Sequence, residues 1–255
     1  MNLITHWELI KHLTAREIKA RYKQSFLGFF WVVLNPFFQM LIMSFIFSNV
    51  MKVGDLGVPY PIFLYAGLLP WTFFANSLSN TTEELVESAS LIKKIYFPRE
   101  ILILAALLSK TFDFFLSTVI FILLMIFFHI SFTPYMLLFF PLFVLQFLFT
   151  YGISLILSAA NLFYRDVRYL LNLIITMWFY ATPVIYATEF FPERYRWIFR
   201  VNPMAVFINA YRQVLLAHDW PNFQSMTIGV LVSIIIFIIG LRFFKSLEGM
   251  FADVV

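Results

Sequence analysis

Charged side chains make up only 13% of the 255 residues, so each cluster of them marks a place where chemistry can happen. One is Leu91-Ile92-Lys93-Lys94-Ile95-Tyr96-Phe97-Pro98-Arg99-Glu100, with three cations and one carboxylate between two long apolar runs. A rigid charged knob at a membrane surface can fit a cleft on another protein. The same cations also satisfy the tendency of cytoplasmic loops to be basic, and the residues alone leave both readings open. Lys110 and Asp113 share a helix face and can pair. Charges inside a span are functional by default, although mutual neutralisation in a structural pair is the plainer reading here. Arg165 and Arg168 form another small basic cluster.

What is missing narrows the chemistry. No G-x-x-x-x-G-K-[ST] phosphate loop occurs, so ATP binding by that route is not expected. With no cysteine there is no disulfide, thiolate metal site or cysteine nucleophile. His6, His12, His129 and His218 are dispersed and no carboxylates pair across a predicted site, so a membrane-embedded hydrolase or transferase lacks its groups. An ion-coupled secondary carrier would need more acidic or polar groups at mid-membrane than Lys110 and Asp113 supply. No cofactor or metal is expected on this chain. The net charge of +4 is spread over short loops rather than one patch, which argues against nucleic acid.

The elements that must position these groups lie in a membrane. The chain is 62% hydrophobic, against about 45–50% for soluble domains, and its mean hydropathy is +0.85. Six segments, 29–50, 61–82, 101–128, 135–163, 169–188 and 225–244, are apolar enough to supply the roughly 20 residues a spanning helix needs. The second contains Gly67 and Pro70, where it can kink or break. Mixed residues precede the first span, so no cleavable signal peptide is expected. One set of connections holds Lys11, Arg16, Lys19, Arg21, Lys23, Lys93, Lys94, Arg99, Arg165, Arg168, Arg242 and Lys245. The other holds Lys52, Arg194, Arg196, Arg200 and Arg212. That asymmetry, with an even number of spans, predicts both termini in the cytoplasm.

Residues 1–28 form a predicted amphipathic interface helix. Ile4, Trp7, Ile10, Ile18 and Tyr22 fall on one side and Arg16, Lys19 and Lys23 on the other, with Lys11 and Arg21 flanking and able to snorkel. It either anchors the chain on the membrane surface or also contacts a partner. In the external connection 189–224, Pro192 and the pair Asn202-Pro203 are helix-start signals, and two short helices in the outer interface are expected. Aromatic residues run through the spans, notably Phe29, Phe30, Trp31, Phe37 and Phe38 in the first and Trp178, Tyr180 and Tyr186 in the fifth. They can form a smooth stacking wall for a carbohydrate, or interfacial belts and lipid-facing surface. Six spans in so short a chain leave little material to enclose a path for a large solute, and a symmetric homodimer is the simplest way to build one.

The chain resembles the permeases of type-2 ABC exporters, and most of all the transmembrane subunit of O-antigen and related polysaccharide exporters. The likeness rests on Leu27-Gly28-Phe29-Phe30-Trp31-Val32-Val33-Leu34-Asn35-Pro36, on Tyr96-Phe97-Pro98-Arg99-Glu100, and on Asn161-Leu162-Phe163-Tyr164-Arg165-Asp166-Val167. It continues through Thr182-Pro183-Val184-Ile185-Tyr186 and through Asn202-Pro203 with Tyr211-Arg212. The resemblance implies a single all-α transmembrane domain, working as an inner-membrane homodimer with two copies of a separate ATPase subunit that holds ATP and Mg. It implies that 84–99 couples to that ATPase through Lys93, Lys94, Tyr96, Phe97, Pro98, Arg99 and Glu100. The external helices, with Pro192, Arg200, Asn202, Pro203, Tyr211 and Arg212, would form a gate, and the substrate would be a lipid-linked polysaccharide whose pyrophosphate meets Arg165 and Arg168 at the cytoplasmic entrance, unless those two simply mark topology. Exporters of teichoic acid or capsule are the nearest variants.

Overall fold

The computed structural model describes residues 6–22, 30–50, 56–94 and 97–254. Ile4, Lys23, Leu27, Gly28, Phe29, Lys52, Ile95 and Tyr96 lie outside them, as do the side chains of Tyr22 and Val33. The described residues are helical with turns and no strand.

Helix α1 (Trp7–Tyr22) is followed by α2 (Phe30–Ser44), which widens into a π turn at Phe45–Val50. Then come α3 (Tyr60–Glu87), the short α4 (Ala89–Lys94) and α5 (Glu100–Phe127). A 3-10 turn at Pro134–Leu138 leads into α6 (Phe139–Phe163), and α7 (Val167–Ala181) follows. The small helices α8 (Trp197–Val201) and α9 (Pro203–Arg212) precede α10 (Phe223–Leu247) and α11 (Phe251–Val254).

Five helices among the described residues are long and apolar enough to cross a membrane, and the chain is a multi-pass membrane protein. Their outward surfaces carry Phe127, Phe140, Val144, Leu231 and Ile235, all exposed, as a lipid-facing surface requires. The fifth expected span, 169–188, is shorter than its apolar run: α7 has 15 residues, about 22 Å, against a hydrocarbon core of about 30 Å. The reason is local. Pro183 disfavours a helical conformation at Thr182, which is extended instead, and the carbonyls beyond are used elsewhere. Pro70, by contrast, does not break α3. Its own carbonyl accepts from Gln146 Nε2 at 2.7 Å, a buried side chain of α6.

The core is α3, buried along most of its length between α5, α6 and α9. Stacked aromatic rings fill it, with Phe74 on Phe149 at 5.7 Å and Phe114 on Phe143 at 4.7 Å. The most extensive contact joins α6 to α10. There the backbones touch: a Cβ on Gly152 would stand 2.6 Å from the Ile236 carbonyl oxygen, and one on Gly240 would run into the backbone of Gly152. Only glycine permits so close an approach.

The α1 face differs from its prediction. Ile10 and Leu13 are buried, whereas Trp7 is 52% exposed. Arg21 does not snorkel to the surface; it turns inward onto α5 and pairs with Asp113. The pairing is favourable because Asp113 is a carboxylate in the interior of a long, mostly apolar helix, and a partly buried charge requires a counter-charge.

Candidate functional site

Two ends and one cleft hold the polar groups. At the first end lie α1, α4, the α6–α7 turn, α11 and Phe97–Glu100, joined by contacts of α4 with α3 and α11 and by ion pairs from Arg16 and Arg168 to α3. Lys93 and Lys94 end α4 and are exposed, while Ile92 beside them is buried and seats the helix. Phe97 is buried, and Pro98 is half-buried. Arg99 and Glu100, expected to face a partner, are instead engaged within the chain. The Arg99 backbone N–H donates to Glu248 Oε1 at 2.9 Å, and its guanidinium donates to the Glu248 carbonyl. Glu100 is 1% exposed with Lys245 Nζ at 3.2 Å. A carboxylate so buried needs a nearby cation, and the end of α10 supplies it.

Other ion pairs at this end also join distant parts of the chain. Arg16 on α1 lies 3.6 Å from Glu84 on α3, whose other contact is a 2.8 Å bond from Ser88 Oγ. Arg168 lies 3.6 Å from Glu83 and stacks on the Tyr169 ring, and its backbone N–H donates to Asn161. Arg165 is exposed. The two arginines at the expected entrance therefore differ, since one is engaged on α3 and the other faces outward.

The opposite end is organised by Arg212, at the end of α9 and nearly fully buried. Its guanidinium donates to the carbonyls of Phe63 (3.3 Å), Pro183 (2.6 Å) and Val184 (2.6 Å), and lies 3.6 Å above the Phe63 ring. Burial pushes its pKa down to about 9, which leaves it charged at neutral pH. Gly67 makes room, because a Cβ there would stand 2.7 Å from Arg212 Nη2. Asn202 caps α9, accepting from the Met204 and Ala205 N–H groups, with Pro203 at the first helical position. The same Asn202 oxygen accepts from the Trp178 indole at 2.9 Å. Tyr211 is buried against Phe139; Pro192 is exposed and leads a 3-10 turn; Arg200 lines a cavity of about 750 Å³ at this end.

The aromatic residues of the predicted wall fall into three groups. Trp31 and Tyr180 line a cleft of about 640 Å³ between α2, α3, α5 and α7. Phe30 and Phe38 are exposed, and Phe37 packs partly against the core. Trp178 and Tyr186 point elsewhere: Trp178 sits edge-on to Phe74, and the Tyr186 hydroxyl donates to the Tyr180 carbonyl while its ring packs on Phe191. The cleft also holds Lys110 and Asp113. Their expected pair is only 3.9 Å, because Arg21 is the closer partner of that carboxylate. Sequence spacing pointed to Lys110 alone, since a partner so far back in the chain leaves no local signal.

The family model of the ABC-2 type transporter matches residues 8–216, most of the chain. This chain belongs to that family. Among its relatives is an O-antigen export system permease protein RfbA of Klebsiella pneumoniae, 35% identical over 99% of this chain and 97% of the relative. Another RfbA, of Myxococcus xanthus, is 29% identical over 96% and 94% of the two chains. The polysialic acid transport protein KpsM of Escherichia coli is 22% identical over 94% and 93%. As an ABC-2 transporter the chain is a transport subunit and not an enzyme, and it works with a separate ABC ATPase.

Proposed function

We propose that this chain is the permease of an ATP-driven exporter that moves a lipid-linked polysaccharide of O-antigen type across the inner membrane. The near full-length likeness to an O-antigen export permease carries this reading. In it both termini are cytoplasmic, two copies of the chain face each other across the path, and two ATPase subunits holding ATP and Mg dock beneath. The segment after α7, whose carbonyls Arg212 takes, would complete the fifth crossing, since unpaired backbone is tolerated at membrane depth only when buried in protein. Residues α8 to α9 would then form the outer gate, with Arg212 as its fixed point.

Coupling falls to the exposed Lys93 and Lys94 on α4. Arg99 and Glu100 contribute by fixing the elbow beneath them to the α10–α11 segment, so that α4 cannot yield when pushed. Reversing both lysines (Lys93→Glu with Lys94→Glu) in the complex with its ATPase is expected to cut export at least about tenfold, as expected for loss of charge-assisted contacts. The dimer should remain folded. Export at the parental rate in that variant would overturn the coupling role, and transport by the chain without any ATPase would overturn the function. A capsule substrate is the second reading, favoured by the likeness to a polysialic acid transport protein.

A further inference from the structure

The cleft between α2, α3, α5 and α7 is lined by two cations, Arg21 and Lys110, and by one carboxylate, Asp113. Arg21 already satisfies Asp113, and it also donates to Ser109 at 3.0 Å. Lys110 reaches the same carboxylate only at 3.9 Å, outside hydrogen-bonding distance, and its side chain is 15% exposed. Two cations thus share one carboxylate. Lys110 sits ten residues into α5 from Glu100, about 15 Å along the axis, where burying an ammonium without a hydrogen-bonded counter-charge is costly. If neutralising Asp113 were the only task, Arg21 would suffice and a methionine could stand at position 110.

The surroundings of Lys110 are equally unusual for a span. Asn35 and Gln39 on α2, Thr72 and Asn76 on α3 and Thr176 on α7 all line the cleft. The Thr72 and Thr176 hydroxyls donate to the Leu69 and Asn172 carbonyls of their own helices, so the donors turned to the cleft are the amides of Asn35, Gln39 and Asn76. Trp31 and Tyr180, both more than half exposed, flank it. A surplus ammonium, amide donors, and aromatic edges beside an open apolar flank make a receptor for an anion on an amphiphile. A phosphate suits it best, with several acceptor oxygens for the Lys110 ammonium and the side-chain donors around it.

We propose that this cleft binds the phosphate of a membrane-borne amphiphile, with Lys110 as its charge partner. The identity of that amphiphile as the lipid end of the exported glycan rests on the function proposed above; the phosphate site itself does not.

The test uses the full chain purified with its ATPase subunit, without nucleotide or glycan, so that its outcome is independent of export. Dodecyl phosphate, a neutral dodecyl glycoside and inorganic phosphate are compared by thermal shift and by titration. Dodecyl phosphate is expected to raise the melting temperature, the neutral amphiphile to do so far less. Lys110→Met should weaken dodecyl phosphate at least about tenfold, the loss of one charge-assisted contact, and Lys110→Arg should restore it. Asn76→Asp gives a second variant that leaves Lys110 in place and sets a negative charge in the cleft; it should abolish the response without lowering the ligand-free melting temperature. Equal stabilisation by the neutral amphiphile, or an undiminished response in both Lys110→Met and Asn76→Asp, overturns the site. A response to inorganic phosphate as large as that to dodecyl phosphate overturns the membrane-borne ligand.

Discussion

The two ends of this protein hold their charges in opposite ways. Around α4, ion pairs run from side chain to side chain between parts of the chain far apart in sequence: Arg16 with Glu84, Arg168 with Glu83, Lys245 with Glu100. Around α9, one buried arginine is held by backbone carbonyls of α3 and of the segment after α7, without a carboxylate. Side-chain pairs with one partner in solvent can part and re-form as helices shift, and salt weakens them. A guanidinium fixed to main-chain oxygens moves only if the backbone moves. The first arrangement suits an end that receives a push, and the second suits an end that must keep its shape or change it all at once.

The contrast can be broken most severely at Arg212. Arg212→Met leaves several buried carbonyls without donors and is expected to cost about 3 kcal/mol or more, read as a lower midpoint of thermal unfolding in detergent. Arg212→Lys should recover only part, because an ammonium lacks the planar fork that reaches Pro183 and Val184 together. At the other end the loss of one side-chain acceptor should be milder. Glu248→Ala removes the acceptor of the Arg99 backbone N–H but leaves the Glu248 carbonyl to the Arg99 guanidinium, so about 1 kcal/mol is expected by the same measurement. The smallest effect needs no substitution. Raising salt from about 0.05 to about 1 M should speed amide exchange in α1 and α11, while amides of α9 keep their protection. Equal acceleration at both ends would remove the distinction.

How much of this was legible depends on how local each cause is. Apolar runs mark α3, α5, α6 and α10 to within a few residues, because length and hydropathy alone decide a spanning helix. The capped start of α9 was legible for the same reason, since Asn202 and Pro203 act on their neighbours. The early end of α7 was only half legible. Pro183 is in plain view, but the guanidinium that takes the carbonyls of Pro183 and Val184 lies at position 212. Lys110 and Asp113 looked like a pair because spacing reveals helical neighbours and hides Arg21, contributed by α1. In the same way nothing near Arg99-Glu100 indicates that their partners are Glu248 and Lys245. Trp178 belongs with the aromatic wall by type and with the α9 cap by geometry.

The glycines of α6 and α10 have a mechanical consequence. Two helices touching backbone to backbone at Gly152 and Gly240 have no layer of side chains between them to slide or deform. They form one stiff beam, with the Lys245–Glu100 pair at one tip and the α9 packing toward the other. A displacement applied at the charged tip is not absorbed at mid-membrane; it swings the far tip, and the beam's length sets the gain.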